Sequence, residues 1–373
     1  MLIRFSVKNY RSFRDELVLD FTKTRDYQFN TECILHDCVG KMIIYGRNGT
    51  GKTNLGRALE DICTTLLYPG RNRIDSSFLN ADSAETEVSF GYTFSFDGEI
   101  VDYKYNKSQD RALTYETLQI NGKTIFTFDH IQNCLIENAL SSLGFDTLQV
   151  DHFTASDEDA ELAGSFLSWI RTNSLIKGTS SIGKLFSFVR GMDVEYLSAE
   201  RLGLGGFSFL SDEKRLKQME FFFNALGVPC SLEVRNTPDG RPQLYYKYNN
   251  GLVRFEEAAS SGAKKLYRLY TSIFCFLHGT PSFLYLDEFD AFFHYEMSEK
   301  LVKYLIDNYP DTQIILTSHN TNLISNSLLR PDCYLILSQD GRLTPLCDAT
   351  NRELREGHNL EKMYISGEFE RYE

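Results

Sequence analysis

Eight consecutive residues, Gly46 to Thr53, constrain the fold of this chain more than any other stretch. They read Gly-Arg-Asn-Gly-Thr-Gly-Lys-Thr, so that two glycines five positions apart are followed directly by Lys52 and Thr53. An apolar, β-prone run at 42–45 precedes them, and leucine and isoleucine recur at helical spacing over 54–65. A glycine-rich turn between a strand and a helix lets backbone N–H groups face a phosphate at the helix N-terminus. The pattern therefore predicts a P-loop, and a glycine-rich turn that matches by chance is the less favoured interpretation.

The predicted P-loop assigns ligands to its own residues. Lys52 is expected to reach the β- and γ-phosphates of a nucleotide, and the Thr53 hydroxyl is expected to bind Mg²⁺. ATP and Mg²⁺ are therefore the predicted cofactors. The other predicted nucleotide contacts lie in the loop and the first helical turn: Asn48, Gly49, Gly51 and Asn54.

Charge and composition limit the classes of protein to which this chain can belong. Its 373 residues suffice for two or more lobes, and its formal net charge of −12 means that the surface as a whole repels DNA, RNA and anionic lipid. A local basic patch stays an open alternative. The longest apolar runs, at 273–277 and 333–337, fall far short of the ~20 residues of a membrane span, and the N-terminus lacks the pattern of a signal peptide. We expect a cytoplasmic protein, and its scattered cysteines, none at C-x-x-C spacing, indicate neither a zinc site nor a disulfide framework.

Apolar patterning divides the chain into three predicted segments. Residues 1–156 form an N-terminal ATPase lobe, in which a hairpin-like entry and the P-loop strand precede antiparallel strands over 87–128. Residues 157–230 carry apolar side chains at helical spacing and predict a short helical insertion, too broken for a long coiled coil. Within it, the glycines of 203–206 indicate a flexible turn rather than a second phosphate loop, because no Lys-Thr pair follows them. Residues 231–373 form a C-terminal ATPase lobe.

The C-terminal lobe returns to an α/β pattern after a hairpin-like segment. An amphipathic helix over 261–273 is followed by an apolar strand at 282–286, a further helix, and a strand at 313–316. Strand, helix, strand in this order predicts a parallel sheet whose functional site lies at the carboxyl ends of the strands. The predicted fold class is α/β, with a mixed sheet, an antiparallel β subdomain and a short helical insertion.

Two carboxylates and a histidine follow these predicted strands. Asp287 is placed to hold the metal of a P-loop site as a Walker B aspartate, and Glu288 beside it is the expected base for a water that attacks the γ-phosphate. His319 follows the next strand, where a contact to the γ-phosphate is wanted. An Asp-Glu pair at a strand end is often only a solvated turn, and a lone histidine is usually structural. Their combination with the P-loop favours a hydrolytic site.

Five motifs stand in a specific order along the chain: Asn9-Tyr10-Arg11-Ser12-Phe13, the P-loop through Asn54, Ser261-Gly262, Asp287-Glu288-Phe289-Asp290 and Thr317-Ser318-His319. This ordered set resembles the ABC-type ATPase heads of the RecF, SMC and OLD families. Within that superfamily, the chain is most similar to the short, stand-alone ATPases of bacterial anti-phage defence loci, such as the ATPase component of PARIS or the Rlo-type proteins. The resemblance covers both ends of the chain and leaves the insertion uncovered.

The resemblance implies an ATPase head that works as a homodimer or larger assembly. ATP would lie between the P-loop of one copy and Ser261 and Gly262 of the other, with the Ser261 hydroxyl and the helix N-terminus on the γ-phosphate. The chain departs from the family's Ser-Gly-Gly-Gln because Ala263 and Lys264 follow. Lys264 is either a cation acting in trans or part of a solvated helix face. His294 stands where the D-loop aspartate is usual, so contact between the two sites is in doubt.

Three further assignments stay open on the sequence. Arg11 matches the basic residue that many family members turn towards the nucleotide, although an exposed hairpin arginine is an equal alternative. Gln149 is the candidate for the Q-loop glutamine. Residues 352–369 mix charges with apolar side chains and either dock on the core or a partner or form a solvated face, and the solvated face is favoured.

These observations favour an ATP-binding and hydrolysing switch that controls a separate effector protein in anti-phage defence. The basis is a complete hydrolytic set without a visible second catalytic domain, such as the nuclease that OLD-type proteins carry. A DNA-maintenance ATPase of the RecF kind, binding DNA directly, is the first alternative, and the acidic charge disfavours it. A nucleotide-gated scaffold with little hydrolysis is the second, and the altered signature motivates it.

Overall fold

The computed structural model describes two large β-sheets and the helices packed around them. The description covers residues 1–68, 78–110, 112–145, 148–154, 164–196, 212–275 and 280–373. No helix in these ranges is long and apolar enough to cross a membrane.

Strands predominate over residues 1–138, whereas helices and strands are interspersed beyond residue 138. The strands are β1 Leu2–Lys8, β2 Leu17–Asp20, β3 Ile34–Leu35, β4 Cys38–Val39, β5 Lys41–Tyr45, β6 Glu87–Phe96, β7 Glu99–Ser108, β8 Leu113–Ile120, β9 Lys123–Asp129, β10 Cys134–Asn138, β11 Met192–Tyr196, β12 Leu232–Asn236, β13 Pro242–Tyr248, β14 Gly251–Arg254, β15 Phe283–Asp287, β16 Gln313–Thr317, β17 Tyr334–Leu337 and β18 Leu343–Pro345. The α-helices are α1 Lys52–Leu67, α2 Asp151–Thr154, α3 Phe166–Asn173, α4 Ser181–Arg190, α5 Glu213–Ala225, α6 Phe255–Ala258, α7 Ser261–Cys275, α8 Tyr295–Asn308 and α9 Leu360–Ile365.

The first sheet is antiparallel and has the order β10-β9-β8-β7-β6-β1-β2. Its tight turns follow from the sequence, because Asp97 and Gly98 have φ of 53° and 86°, and Asn121 and Gly122 have φ of 50° and 74°. Positive φ at both central residues is what a two-residue hairpin turn requires, and Asn-Gly and Asp-Gly meet that need at low cost. The antiparallel strands predicted over 87–128 and the hairpin-like N-terminal entry are confirmed.

The second sheet has the order β11-β15-β16-β5-β17-β18 and is parallel except for β18. Its inner strands are buried along their whole length, as strands covered on both faces must be. β5 and β15 both pair with β16 in parallel, so their carboxyl ends lie at one edge of the sheet. That edge carries the P-loop, the Asp-Glu pair and the Thr-Ser-His motif.

The segment predicted as a helical insertion contains more than helices. Its described parts form α3, α4 and α5, as predicted, but they also form β11, which pairs in parallel with β15 and extends the central sheet. β11 reads Met-Asp-Val-Glu-Tyr, a short alternating strand that the helical spacing on either side conceals. The boundaries at 156 and 230 stay a prediction. The glycine turn at 203–206 lies outside the described residues.

Helix α1 joins the two sheets. Its first turn lies at the P-loop, while its third turn is tied to the antiparallel sheet through Asp61, which forms an ion pair with Lys107 at 2.5 Å and accepts from the Tyr105 hydroxyl at 2.8 Å. The Tyr92 hydroxyl donates to the Ala58 carbonyl oxygen at 2.8 Å. The antiparallel sheet therefore holds the helix that begins at the P-loop.

The C-terminal residues dock on the core. Leu354, Leu360 and Phe369 are buried, and the Tyr364 ring lies 6.0 Å from the ring of Tyr45, the last residue of β5. The interpretation of 352–369 as a solvated face is therefore wrong. The apolar side chains that reach the core are irregularly spaced, so no helical or strand period marks the buried face.

Candidate nucleotide-binding site

The P-loop backbone is shaped by two glycines with positive φ. Gly49 and Gly51 have φ of 83° and 104°, in the left-handed region that favours glycine. A Cβ on Gly51 would lie 2.4 Å from Ser12 Oγ and 2.9 Å from the Phe13 ring, because the N-terminal hairpin packs directly against the loop. Consecutive turns of this kind point backbone N–H groups into one concavity, which suits an anion.

Lys52 lies inside this concavity. It is 6% exposed, and its ammonium donates to the carbonyl oxygens of Gly46 at 2.8 Å and Arg47 at 3.2 Å. Burial lowers the pKa of Lys52, while the carboxylates of Asp287 and Glu288 act in the opposite direction. The lysine and both predicted carboxylates are thus close enough for their charges to interact.

Thr53 and Asp287 meet across the site. The Thr53 hydroxyl donates to Asp287 Oδ2 at 2.6 Å, and Asp287 is 1% exposed. The other carboxylate oxygen, Oδ1, accepts from the Thr317 hydroxyl at 2.8 Å. The two residues predicted to hold a metal, 234 positions apart in the chain, are therefore brought into direct contact.

Glu288 and His319 lie beside this pair. Glu288 has a φ of 48°, which is unusual for a residue with a side chain, and its Oε1 lies 3.9 Å from His319 Nε2. Burial and, to a smaller extent, the charge of Lys52 lower the pKa of His319, so its imidazole is neutral near pH 7. A neutral imidazole keeps one N–H donor and one acceptor nitrogen.

The N-terminal hairpin reaches the site through Ser12. Asn54 Nδ2 donates to Ser12 Oγ at 3.0 Å. Arg11 has a φ of 49°, its N–H donates to the Phe78 carbonyl at 3.1 Å, and its guanidinium lies 5.7 Å from the centre of the Tyr10 ring. The predicted contact of Arg11 with nucleotide stays a prediction.

Ser261 and Gly262 begin α7, and Ser261 is exposed there together with Lys264. The segment that carries His294 passes close by, since a Cβ on Gly262 would lie 3.4 Å from the Phe292 carbonyl oxygen. His294 is exposed and precedes α8 as its N-cap residue. The signature-like and D-loop-like residues thus share one surface.

The remaining predicted residues are more peripheral. Asn48 and Gly49 are exposed on the P-loop. Gln149 is also exposed, and its carbonyl oxygen accepts from the His152 N–H at 3.0 Å just before α2. Its assignment to a Q-loop stays a prediction.

Sequence reasoning assigned no role to two residues that shape the site. Thr317 donates to Asp287 and also accepts from the Glu288 N–H at 2.7 Å. The Tyr285 hydroxyl donates to the Lys52 carbonyl at 2.5 Å, and a Cβ on Gly56 would lie 2.7 Å from the Tyr285 ring. A usable signal is present for Thr317, because a polar residue that ends a strand beside another strand ending in carboxylates is placed to bond them.

The residues present fit Mg²⁺ and a nucleotide phosphate. Mg²⁺ prefers oxygen ligands, and the Thr53 hydroxyl retains acceptor lone pairs while it donates to the adjacent Asp287 carboxylate. The left-handed glycines of the loop and the buried Lys52 fit an anion of high charge.

Fold and site together define a P-loop protein of the AAA/ABC ATPase class. A family model described as "AAA domain, putative AbiEii toxin, Type IV TA system" matches residues 41–325, and the chain belongs to this family. The predicted fold class, an α/β P-loop ATPase of ABC head type with an antiparallel β subdomain, is confirmed. The narrower resemblance to PARIS or Rlo-type ATPases stays a prediction. No curated protein matches the chain.

Solved structures to which the chain is similar include heads of SMC proteins. The SMC head domain from Thermotoga maritima has 14% sequence identity and a TM-score of 0.46, with 92% of this chain and 98% of that chain covered. An SMC head bound to the C-terminal winged-helix domain of ScpA has 17% identity and a TM-score of 0.46, over 86% of this chain and 89% of that one. An Smc head with an extended coiled coil, bound to the C-terminal domain of ScpA derived from Pyrococcus furiosus, has 15% identity and a TM-score of 0.44, over 86% and 89%.

Proposed function

We propose that this chain binds and hydrolyses ATP and uses the nucleotide state as a switch. The observation that carries the proposal is the 2.6 Å contact between the Thr53 hydroxyl and Asp287, beside a buried Lys52. A hydroxyl and a carboxylate at this distance, at the end of a P-loop, suit the metal of a nucleotide site. Mg²⁺, when bound, would neutralise charge on the β- and γ-phosphates.

The protein's own groups divide the remaining work. The loop N–H groups and Lys52 would bind the phosphates, and His319 would donate its N–H to the γ-phosphate. Glu288 would orient a water for in-line attack on the γ-phosphorus and accept its proton, while the bond to the β–γ bridging oxygen breaks and ADP leaves. This assignment rests on the 3.9 Å separation of Glu288 and His319, which brings a base and a donor to one place.

We also infer that the site is completed by a second copy of the chain. Ser261 and Lys264 are exposed at the start of α7, where a hydroxyl, a cation and a helix N-terminus are available to a phosphate of another copy. The family description names a putative toxin of a type IV TA system, and on that basis we propose that the chain acts in anti-phage defence together with a separate protein. The effector that such a dimer would hold is thus expected to be another protein.

One variant tests these steps together. Glu288→Gln keeps the size of the side chain and removes the base, so ATP turnover should fall at least ~100-fold while ATP binding is retained. In light scattering after size exclusion, this variant with Mg²⁺ and ATP should show twice the monomer mass. When the variant is immobilised on beads, it should retain an effector from the native host only in the presence of ATP.

Glu296→Gln is the matched control, because Glu296 is an exposed residue in the first turn of α8. It should leave turnover and mass unchanged. Wild-type turnover in Glu288→Gln would remove Glu288 from its role, and a monomer with ATP bound would remove the dimer. Salt-sensitive DNA binding with DNA-stimulated turnover would instead favour a DNA-maintenance ATPase.

A further inference from the structure

The two acidic residues of the candidate site are joined by one buried hydroxyl, which contacts the carboxylate of Asp287 and the backbone N–H of Glu288. Thr317 Oγ1 donates to Asp287 Oδ1 at 2.8 Å and accepts from the Glu288 N–H at 2.7 Å, and Thr317 is fully buried. The directions of both hydrogen bonds are fixed by chemistry, since an ionised carboxylate only accepts and a backbone N–H only donates. A single hydroxyl therefore donates a hydrogen bond to Asp287 and accepts one from Glu288.

The register between strands β15 and β16 determines where this hydroxyl lies. β15 and β16 are parallel, with Leu286 opposite Leu316, so Asp287 and Thr317 follow on neighbouring strands. Neighbouring strands lie ~4.8 Å apart, a distance that two short polar side chains on one face can bridge by a hydrogen bond. The β-branched threonine has a stiff χ1, which holds its hydroxyl in one direction.

The hydroxyl also contributes to an unusual backbone conformation. Glu288 has a φ of 48°, and such a conformation in a residue with a side chain persists only where its surroundings hold it. Here the Glu288 N–H is held by Thr317 Oγ1, and the following N–H, of Phe289, donates to the Thr317 carbonyl oxygen at 3.2 Å. The backbone turn that directs the Glu288 side chain is thus anchored to β16.

We propose that Thr317 is a positioning residue for ATP hydrolysis. Its hydroxyl orients the carboxylate of Asp287 towards the Thr53 side of the site and holds the backbone turn that presents Glu288. This inference rests on the proposed function and adds to it the residue that keeps the metal-binding and water-orienting carboxylates in register. Thr317 contacts Asp287 and the Glu288 backbone, and its role is to position these two neighbours.

Removal of the hydroxyl should impair turnover more than nucleotide binding. In Thr317→Val, kcat for ATP should fall about 10- to 100-fold, the usual cost of losing a group that orients a metal-binding side chain. KM for ATP should stay within about threefold, because the P-loop binds the phosphates. Thr317→Ser restores the hydroxyl and should recover most of kcat. A kcat for Thr317→Val within about twofold of wild type overturns the inference, and so does a failure of serine to rescue it.

The same strand supplies a matched control. Thr312 precedes β16, is fully buried, and donates its hydroxyl to the Pro281 carbonyl at 2.6 Å, at the opposite end from the carboxylates. Thr312→Val also removes a buried hydroxyl while it keeps the size of the side chain. It should leave kcat within about twofold of wild type. An equal loss of kcat in both valine variants would show a general structural role and overturn the inference. Where Thr317→Val does not fold, Thr317→Cys, whose thiol is a weak donor, should lose kcat in the same direction.

A readout without turnover separates this inference from the proposed function. The fluorescence of mant-ATP bound to each variant is followed as Mg²⁺ is added, and the half-saturating Mg²⁺ concentration should rise about tenfold in Thr317→Val and stay unchanged in Thr312→Val. If the wild-type protein releases no phosphate, the proposed hydrolysis fails, while a shifted Mg²⁺ midpoint still supports the orientation of Asp287 by Thr317. An unshifted midpoint overturns that orientation in either case.

Discussion

Asp61 lies within α1 and Asp287 contacts its first turn; both aspartates are buried, yet their partners differ in charge. Asp61, in the third turn, is bound by the ammonium of Lys107 at 2.5 Å as well as by the Tyr105 hydroxyl. Asp287, at the first turn, accepts from the hydroxyls of Thr53 and Thr317. The nearest lysine in the loop, Lys52, donates to two carbonyl oxygens instead.

This difference separates a structural carboxylate from a candidate binding carboxylate. A buried charge that already has a cation holds two parts of the fold together, and removing either partner leaves the other charge uncompensated. A buried carboxylate held by hydroxyls is oriented but not neutralised, so it retains affinity for a cation. On this basis the end of α1 at Asp61 supports the fold, and the end at Thr53 is available for a ligand.

The largest expected effect is on stability, and it follows from removing the cation that binds Asp61. Lys107→Met leaves Asp61 buried without a cation, and the free energy of unfolding should fall by about 3–5 kcal/mol. Urea denaturation measures this loss. Lys104→Met, an exposed position on the same strand β7, is the control and should change stability by less than about 0.5 kcal/mol. A loss below about 1 kcal/mol for Lys107→Met would remove the structural role given to the Asp61 pair.

The next effect is on ATP turnover, and it follows from a change at Asp287 that leaves the protein folded. Asp287→Asn keeps the shape of the side chain and removes its charge, so ATP turnover should fall about 100-fold or more through the loss of metal binding. The free energy of unfolding should change by less than about 1 kcal/mol, or rise, because the hydrogen-bond partners of Asp287 are two hydroxyls rather than a cation that its loss would leave unpaired. Phosphate release and urea denaturation are measured on one preparation. A loss of stability as large as that of Lys107→Met would show that Asp287 is structural as well.

The last effect, at most about 1.4 kcal/mol for each pH unit, concerns a third carboxylate. Asp193 on β11 has a buried Oδ2 atom without a hydrogen-bond partner among the described residues, and burial, with smaller contributions from Glu195 and Glu60, raises its pKa to about 7. Glu195 is itself paired with Arg268 at 2.5 Å. Among the residues that the structure describes, neither a cation nor a hydroxyl holds Asp193, which is expected to stay protonated in the folded protein below pH 7.

The sign of the pH dependence follows from this protonation. Between pH ~4 and pH ~7 the unfolded chain releases the Asp193 proton and the folded chain keeps it, so stability falls as pH rises, by at most about 1.4 kcal/mol per pH unit. Asp193→Asn lacks this titration. In urea denaturation at pH 5, 6 and 7, the stability of the variant relative to wild type should increase with pH, and parallel curves for the two proteins would contradict the assignment.

Much of the site could be predicted because its parts are local in the sequence. The P-loop needs glycines at set positions, and the buried strands before Asp287 and Thr317 are continuous apolar runs. The rule that parallel strands present their carboxyl ends at one edge then brings these motifs together. This reasoning predicts that Thr53 and Asp287 lie close together, and the structure shows them in contact.

Other features depend on contacts that local patterns do not encode. β11 is hidden within a helical segment, because an alternating strand of five residues is outweighed by longer helical patterns on either side. Sequence patterns place the C-terminal residues in solvent, although Tyr364 packs near Tyr45 and Arg47 of the P-loop donates to Glu373 at 3.0 Å. In both cases the contact partner lies far away in the sequence. The segment itself has no periodicity from which the contact could be predicted.

By itself, the sequence determined the class of fold, the P-loop and the residue types at each strand end, since periodicity and glycine placement act over a few residues. The tertiary structure alone decided which buried aspartate receives a cation and which receives two hydroxyls. It also decided that Thr317 binds the carboxylate of Asp287 and the backbone N–H of Glu288. These outcomes depend on sheet order and register, which place Asp287 beside Thr317 and Asp61 beside Lys107, and such pairings arise only when distant segments pack.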